Sequence, residues 1–315
     1  MKRLTLILVI LCAALPVMAE IPGAVFVNAE MGGRSIGMGR SYASIAEGGE
    51  TFIYNVAGSA FFTKKEIFLN YQQIEEFEQD NEALSFFMPV RPLYGTVGVT
   101  LLYFGGGEVQ ATDEFGQALP SFNVYQMVLG LTYALKLDDH WGAGISLKYI
   151  SDHLSPDFNG SSVAVDVGAL YKNEKELSSE VTLNYGAGAT IQNIGPKISY
   201  QDREQADSLP RYLRSGIHGT LGYRPWNTAL TMSAGYDMDM VDLFTENASL
   251  HWGCEIAFMD VVFLRGGYYT NNYYDDSAFN WGLGFSYMNI RLDFARDNLY
   301  TLDKGTSIYS VSFRF

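Results

Sequence analysis

The sequence is poor in cysteine, in positive charge and in long apolar runs, and each shortage excludes a class of protein. Only Cys12 and Cys254 are cysteines among the 315 residues, and losing the first with a targeting segment leaves no intramolecular disulfide. The formal net charge of −14 argues against nucleic acid as a partner, since nucleic-acid binding needs a basic footprint. Beyond the N-terminus no run reaches about 18 apolar residues, which excludes a helical membrane span.

The N-terminus has the pattern of a cleaved export signal. A positive region, a short apolar core and a small-residue cleavage site follow one another within residues 1–19. Cys12 fits a lipoprotein signal less well, because Leu11 precedes it where a small residue is expected. We therefore expect a signal peptide that is removed after Ala19.

The main positive feature of the sequence is an alternation of apolar and polar residues. At the C-terminus Tyr309, Val311, Phe313 and Phe315 are large and apolar, and the residues between them are polar. A period of two predicts a strand with one apolar and one polar face. A soluble sheet would explain this stretch alone, but the same pattern recurs along most of the chain.

Fourteen stretches of this kind are predicted between Ile67 and the C-terminus. They are centred near Leu69, Phe86, Val99, Leu129, Ile145, Val167, Tyr185, Ile217, Met232, Cys254, Leu264, Leu283, Leu292 and Val311. The links after even-numbered stretches are mostly tight, whereas those after odd-numbered ones tend to be longer and polar. This pattern predicts an all-β fold, a 14-stranded antiparallel transmembrane β-barrel of the outer membrane, with tyrosines at the membrane interfaces.

Residues 20–65 differ from the rest of the chain. They are rich in glycine and alanine and show little alternation, which predicts compact turns and a short helix in a confined space. A phosphate-binding loop is not indicated, because neither a preceding strand nor a Gly-Lys-Ser/Thr ending is present. A flexible periplasmic arm is the alternative interpretation.

A 14-strand barrel behind such a segment resembles the FadL-type outer-membrane family, including its PorV/PorQ branch, and the aromatic C-terminus is similar to the ending of outer-membrane barrels. The first motif looks like the family's hatch, a segment that folds back into the lumen and plugs it: Gly33, Arg34, Gly37, Met38, Gly39, Asn55, Ala57 and Gly58. Val56 replaces the family's usual proline.

The second motif is closer to PorV/PorQ than to the fatty-acid transporters: Asn193, Gly195, Pro196, Lys197, Tyr200, Leu209 and Pro210. The resemblance implies a hatch over residues 20–65 and a barrel over 66–315.

The resemblance implies two functions. PorV-type relatives serve type IX secretion by shuttling exported proteins to a surface complex, so loops Gly105–Ser121 and Gly195–Tyr212 would bind an exported protein or secretion-system components. FadL relatives take up long-chain fatty acids and other hydrophobic molecules, which would pass the hatch when Gly37–Gly39 move. A structural barrel without cargo is a third hypothesis. All three place the protein in the bacterial outer membrane, in contact with lipid and lipopolysaccharide.

The titratable residues do not indicate an enzyme, a metal site or a cofactor. His140, His153, His218 and His251 stand with no nucleophile motif and with no metal-ligand spacing. We expect acidic loops such as 202–204 to be solvated, although they could also hold divalent cations or a basic partner.

Eight charged residues are predicted to face the lumen. They are Lys148, Asp166, Arg214, Glu255, Arg265, Arg291, Asp293 and Arg314. Such charges could tune a polar conduit for a solute, but charges in a narrow lumen must be paired or hydrated, which favours an internal network. We expect Arg34 and Arg40 of the hatch to pair with carboxylates such as Asp166, Glu255 and Asp293.

Overall fold

The structure, a computed structural model, describes residues 22–76, 79–200, 206–241, 248–271, 276–298 and 305–315. The predicted signal peptide and the acidic loop 202–204 lie outside the described residues. In the part of the chain that is described, none of the helices has the length and apolar character needed to cross a membrane.

The described residues form one closed barrel of fourteen antiparallel strands. The strands are β1 (Glu66–Ile74), β2 (Gln79–Val90), β3 (Gly95–Val109), β4 (Phe122–Lys136), β5 (Trp141–Ser155), β6 (Phe158–Glu176), β7 (Val181–Ile194), β8 (Tyr212–Tyr223), β9 (Thr228–Asp239), β10 (Ala248–Phe258), β11 (Val262–Asn271), β12 (Asp276–Tyr287), β13 (Ile290–Asp297) and β14 (Thr306–Arg314). Each pairs with the next, and β1 pairs with β14 from Glu66↔Arg314 to Ile74↔Thr306. The predicted fold is confirmed, and each predicted stretch lies in its own strand.

The two ends of the barrel differ in the length of their connections. After β2, β4, β6, β8, β10 and β12 the chain turns within four residues or fewer, and we call this the short-turn end. The opposite end carries the loops 110–121 and 195–211, although β5 and β6 are joined there by residues 156–157 alone. We call it the long-loop end.

The two faces of the wall separate apolar from polar side chains. Outward positions carry exposed large residues such as Leu131, Ile217 and Met232. Inward positions are buried and often polar, as at Thr100 and Ser146. The outer face is thus suited to lipid and the inner face to a polar filling.

Residues 22–65, which we call the N-terminal segment, lie along the inner face of the barrel. The segment contains helix α1 (Gly33–Gly37), helix α2 (Thr51–Tyr54) and 3-10 turns over Val25–Asn28, Gly48–Glu50 and Val56–Phe61. Near its start, Gly23 donates a backbone hydrogen bond to Ser208 at the long-loop end. Near its end, Phe62 packs against Phe87, close to the short-turn end. The segment therefore runs the length of the barrel.

Candidate functional site: the barrel interior

Small residues of the inner wall let the backbone of the N-terminal segment approach closely. An added Cβ at any of six inward glycines would collide with an atom of that segment or crowd it. These are Gly144, Gly168, Gly188, Gly253, Gly267 and Gly282. Because they lie on β5, β6, β7, β10, β11 and β12, the wall accommodates the segment on both sides of the barrel.

Gly39 makes the tightest of these approaches. Its φ of +60° belongs to the left-handed region that favours glycine. A Cβ at this position would lie 2.5 Å from the backbone nitrogen of Tyr268 and 2.6 Å from the carbonyl oxygen of Trp252. Gly39 is therefore required both for its backbone conformation and for contact with β10 and β11.

Helix α1 is held by an ion-pair network centred on Glu255. Nη2 of Arg34 lies 2.8 Å from Oε1 of Glu255, and Nε of Arg265 lies 2.6 Å from its Oε2. Arg265 and Arg291 also bind Asp293, at 2.8 and 3.0 Å. Arg34 also binds Glu47 at 2.7 Å, so three carboxylates and three guanidinium groups balance one another in a largely buried place, where an unpaired charge would be costly.

A second network surrounds Arg40. Its Nη2 lies 2.6 Å from Oδ2 of Asp297, and its guanidinium also pairs with Glu30. Glu30 in turn binds Arg214, whose Nη1 lies 2.8 Å from Oδ2 of Asp237. Two residues of the N-terminal segment are thereby connected to β8, β9 and β13.

Asn193, the last residue but one of β7, connects three parts of the interior. Its Oδ1 accepts a hydrogen bond of 2.9 Å from Lys148, whose ammonium pairs with Asp166 at 2.7 Å. Its Nδ2 donates to the side chain of Asn28 and to the carbonyl oxygen of Pro210. Asn193 adopts a φ of +60°, which asparagine tolerates better than most residues.

The other residues of the second predicted motif surround this point. Leu209 is buried, and the hydroxyl of Tyr200 donates a 2.7 Å hydrogen bond to Asp152. The carbonyl oxygen of Pro196 accepts from Ser162, and a Cβ on Gly195 would collide with the carbonyl oxygen of Val163. Lys197 is exposed. Most of the motif therefore fixes the inner end of the loop 195–211 to the wall.

Asn55 fixes the second half of the N-terminal segment. Its Oδ1 accepts from the backbone nitrogen of Ala57, and its Nδ2 donates to the carbonyl oxygens of Ala43 and Ala169. This side chain begins the 3-10 turn Val56–Phe61 and ties it to β6. Val56 is fully buried, so an apolar residue fits where the family usually has proline.

Glu50 stabilises the N-terminus of helix α1. Its Oε2 accepts a 3.0 Å hydrogen bond from the backbone nitrogen of Ser35. Burial raises the pKa of the Glu50 carboxyl to about 7, Asp293 adds to the increase, and the contacts with Ser35 and Arg34 act against it. This carboxyl therefore changes charge near neutral pH.

The structure brings most of the predicted site residues together but changes some predicted partners. Glu255 binds Arg34, whereas Asp166 and Asp293 bind cations of the wall. Arg40 pairs with the carboxylates Glu30 and Asp297 rather than with one of the three that were named as examples. Arg314 pairs with Glu66 across the β1–β14 seam.

Sequence reasoning missed several residues of these networks. Alternate residues of a strand face the lumen, and Asp237 of β9 and Asp297 of β13 are among them. The alternation in the sequence could therefore have identified both residues. Glu30 and Glu50 lie in the N-terminal segment, where no alternation shows which way a side chain points.

Three of the four histidines, His140, His153 and His251, take structural positions. His251 stacks on Tyr269, and its Nε2 lies 3.4 Å from Oδ2 of Asp237. His140 lies in a short turn and His153 stacks on Tyr125 near the end of β5. Among the residues that the structure describes, no group of three or more His, Cys, Asp or Glu side chains could hold a metal ion.

Residues 82–234 match the family model described as type IX secretion system protein PorV. The predicted resemblance to PorV is confirmed. No curated protein sequence matches the chain.

Solved barrels of the FadL type share the fold at low sequence identity. The Ralstonia pickettii toluene transporter TbuX is 11% identical, with 91% of this chain and 99% of that chain covered and a TM-score of 0.50. The Pseudomonas putida toluene transporter TodX is 12% identical, with 91% and 98% covered and a TM-score of 0.48. A Pseudomonas aeruginosa FadL homologue is 10% identical, with 90% and 98% covered and a TM-score of 0.47. At these identities the similarity concerns the fold alone.

Proposed function

We propose that this protein is a PorV-type outer-membrane barrel that serves type IX secretion by binding exported proteins at its long-loop end. The observation that carries the proposal is the family match over residues 82–234. The matched range runs from β2 into β9 and includes the loops 110–121 and 195–211. On this proposal the short-turn end faces the periplasm, as short turns do in outer-membrane barrels.

The N-terminal segment is proposed to act as a hatch that stays in the lumen while cargo binds outside. The chain would then consist of a signal peptide over residues 1–19, the hatch over 20–65 and the barrel over 66–315. Withdrawing the hatch would break three buried ion pairs between the segment and the wall, namely Arg34–Glu255, Glu30–Arg214 and Arg40–Asp297, and breaking a buried pair costs free energy. Surface binding is therefore easier for this barrel than threading a protein through it.

The loop 110–121 is the better candidate for the cargo surface. Phe115 is 84% exposed at its tip, and exposed aromatic side chains are frequent anchors in protein interfaces. The loop 195–211 is less suited to a simple test, because Ile198 and Leu209 are buried against the N-terminal segment. Trimming it would damage the interior as well as the surface.

The test is native mass spectrometry of the protein extracted gently from its own outer membrane. We expect a stoichiometric exported protein on the wild type and its loss from Phe115→Ser. Tyr94→Ser is the matched control, since it removes an exposed aromatic residue from a short turn at the other end. Retention of the exported protein by Phe115→Ser, or its absence from the wild type, would contradict the proposal.

A FadL-like uptake of hydrophobic molecules is the second candidate, and one cavity favours it. The cavity, of about 400 Å³, lies at the long-loop end between the N-terminal segment and β2–β4, and Phe26, Phe104 and Val124 line it. A bound amphiphile in the same mass spectra, lost from Val124→Trp, would support uptake. With neither species bound, the structural barrel without cargo would remain.

A further inference from the structure

A second cavity lies at the opposite end of the barrel, between the N-terminal segment and the short turns. Its volume is about 490 Å³, which is within the range of small-molecule sites. The end of the N-terminal segment, the turn 288–289 and the adjoining ends of β1 and β14 line it. We call it the vestibule.

The vestibule is positively charged in a protein that is strongly negative. Four cations line it, namely Lys64, Lys172, Arg291 and Arg314, against the two anions Glu47 and Glu66. The whole chain carries a formal net charge of −14. The local excess of positive charge is therefore a property of this cavity and not of the surface in general.

Several donors of these cations are free to bind a further anion. Arg314 donates from Nε to Glu66, and within the described residues its two Nη atoms donate to no protein acceptor. Among the residues described, the one hydrogen-bond acceptor of Lys64 Nζ is the side-chain oxygen of Asn289, at a long distance of 3.4 Å. Lys172 lies 3.3 Å from Glu47 and is partly exposed.

The remaining wall of the vestibule is apolar. Phe61, Phe62, Met288 and Ile290 contribute to it. The ammonium of Lys172 lies 5.6 Å from the ring centroid of Phe61, so the charged and apolar walls meet at this pair. A ligand with one anionic group and an apolar body would contact both walls.

We propose that the vestibule binds a small organic anion with an apolar body. The anionic group binds Lys172, Arg314 and Lys64, and the apolar body packs against Phe61 and its neighbours. An anion on Lys172 competes with Glu47, whose Oε2 lies 2.7 Å from Arg34 of helix α1. Binding is thus coupled to the N-terminal segment. The site does not depend on which function the long-loop end has.

The test uses a matched pair of fluorescent probes with the full-length protein in lipid nanodiscs, after subtraction of the signal from empty nanodiscs. Anilinonaphthalene sulfonate carries the anionic group, and phenylnaphthylamine has the same apolar body without it. We expect one sulfonate per protein, with affinity that falls as salt is added. The double variant Lys172→Gln/Arg314→Gln should raise its Kd by about tenfold or more, because each lost charge contact weakens binding.

Two further variants keep the test independent of folding. Lys64→Glu reverses an exposed charge that belongs to no ion pair in the described residues, and it should also weaken binding of the sulfonate. Lys136→Gln, which removes an exposed cation at the end of β4 that pairs with Asp139 in a short turn, should leave binding unchanged. Equal sulfonate affinity in all variants, or the same loss of affinity for the neutral probe, would overturn the proposal. Displacement of the sulfonate by an acidic peptide but by no small anion would assign the vestibule to a protein segment and also overturn it.

Discussion

The side-chain nitrogen Nδ2 of Asn193 donates a hydrogen bond of 2.6 Å to Oδ1 of Asn28, which lies 165 positions earlier in the chain. The same nitrogen donates to the carbonyl oxygen of Pro210, and the amide oxygen accepts from Lys148. One buried side chain therefore joins the N-terminal segment, the loop 195–211 and the wall. Its loss should loosen all three.

Asn193→Ala should lower the free energy of unfolding by about 2–4 kcal/mol, because several buried polar groups lose their partner and alanine is strained at positive φ. The measurement is the urea midpoint, read from the shift of the folded band in unboiled gels. Asn159→Ala is the control, since this exposed amide donates one hydrogen bond, to Pro156. Equal midpoints for the two variants would show that Asn193 is not a structural link.

The strands could be predicted from the sequence because lipid and lumen impose opposite polarity on alternate residues. Tyr309, Val311 and Phe313 are outward and exposed, and Ser310 and Ser312 between them are buried. The pattern reports only the face of the wall on which a residue lies. That signal is strong enough to identify all fourteen strands in order.

The ion-pair and hydrogen-bond partners of side chains inside the barrel could not be predicted in the same way. Parity places Asp297 on the inner face, but the stagger of the strands and the path of the N-terminal segment decide that it meets Arg40. For the same reason Asn193 was predicted only as part of the second family motif, and the sequence did not indicate that its side chain joins three parts of the interior. Contacts between distant parts of a chain depend on three-dimensional arrangement, which a period of two does not contain.

Gly267→Val should displace the N-terminal segment and open the lumen. An added Cβ would lie 2.0 Å from the backbone nitrogen of Gly39 and 2.3 Å from the carbonyl carbon of Met38, so the segment must move away from the wall. We expect a larger single-channel conductance in planar bilayers and faster entry of small sugars into proteoliposomes. Gly219→Val is the matched control, because a Cβ there has no neighbour within 4 Å. An unchanged conductance for Gly267→Val would mean that the segment does not block the lumen.

Glu255→Gln should destabilise the barrel far more than the loss of a surface ion pair. Three guanidinium groups depend on this carboxylate, and they would be left with an excess of buried positive charge. The expected loss is about 3–5 kcal/mol. Glu176→Gln, which removes the exposed partner of Arg224, should cost about 1 kcal/mol or less. Urea midpoints of both variants provide the comparison, and similar losses would show that the buried network adds no stability.

Glu50 should make the attachment of helix α1 depend on pH. The pKa of this carboxyl is raised to about 7 in the folded protein, above its ordinary value of 4.5. The contribution of Glu50 to the free energy that holds helix α1 in place is therefore fully present below pH 4.5. It is lost as pH rises through 7, because the carboxylate can be hydrated only when the segment is detached. A shift of this size corresponds to about 3 kcal/mol.

Hydrogen exchange at the amides of residues 33–37, corrected for the intrinsic effect of pH, measures this dependence. Protection should be greater at pH 5 than at pH 8 in the wild type. Glu50→Gln cannot ionise, so its protection should stay constant over this range. The difference between the two proteins isolates Glu50 from histidines that titrate in the same window, and a wild-type profile identical to that of Glu50→Gln would exclude this carboxyl as the pH-sensitive group.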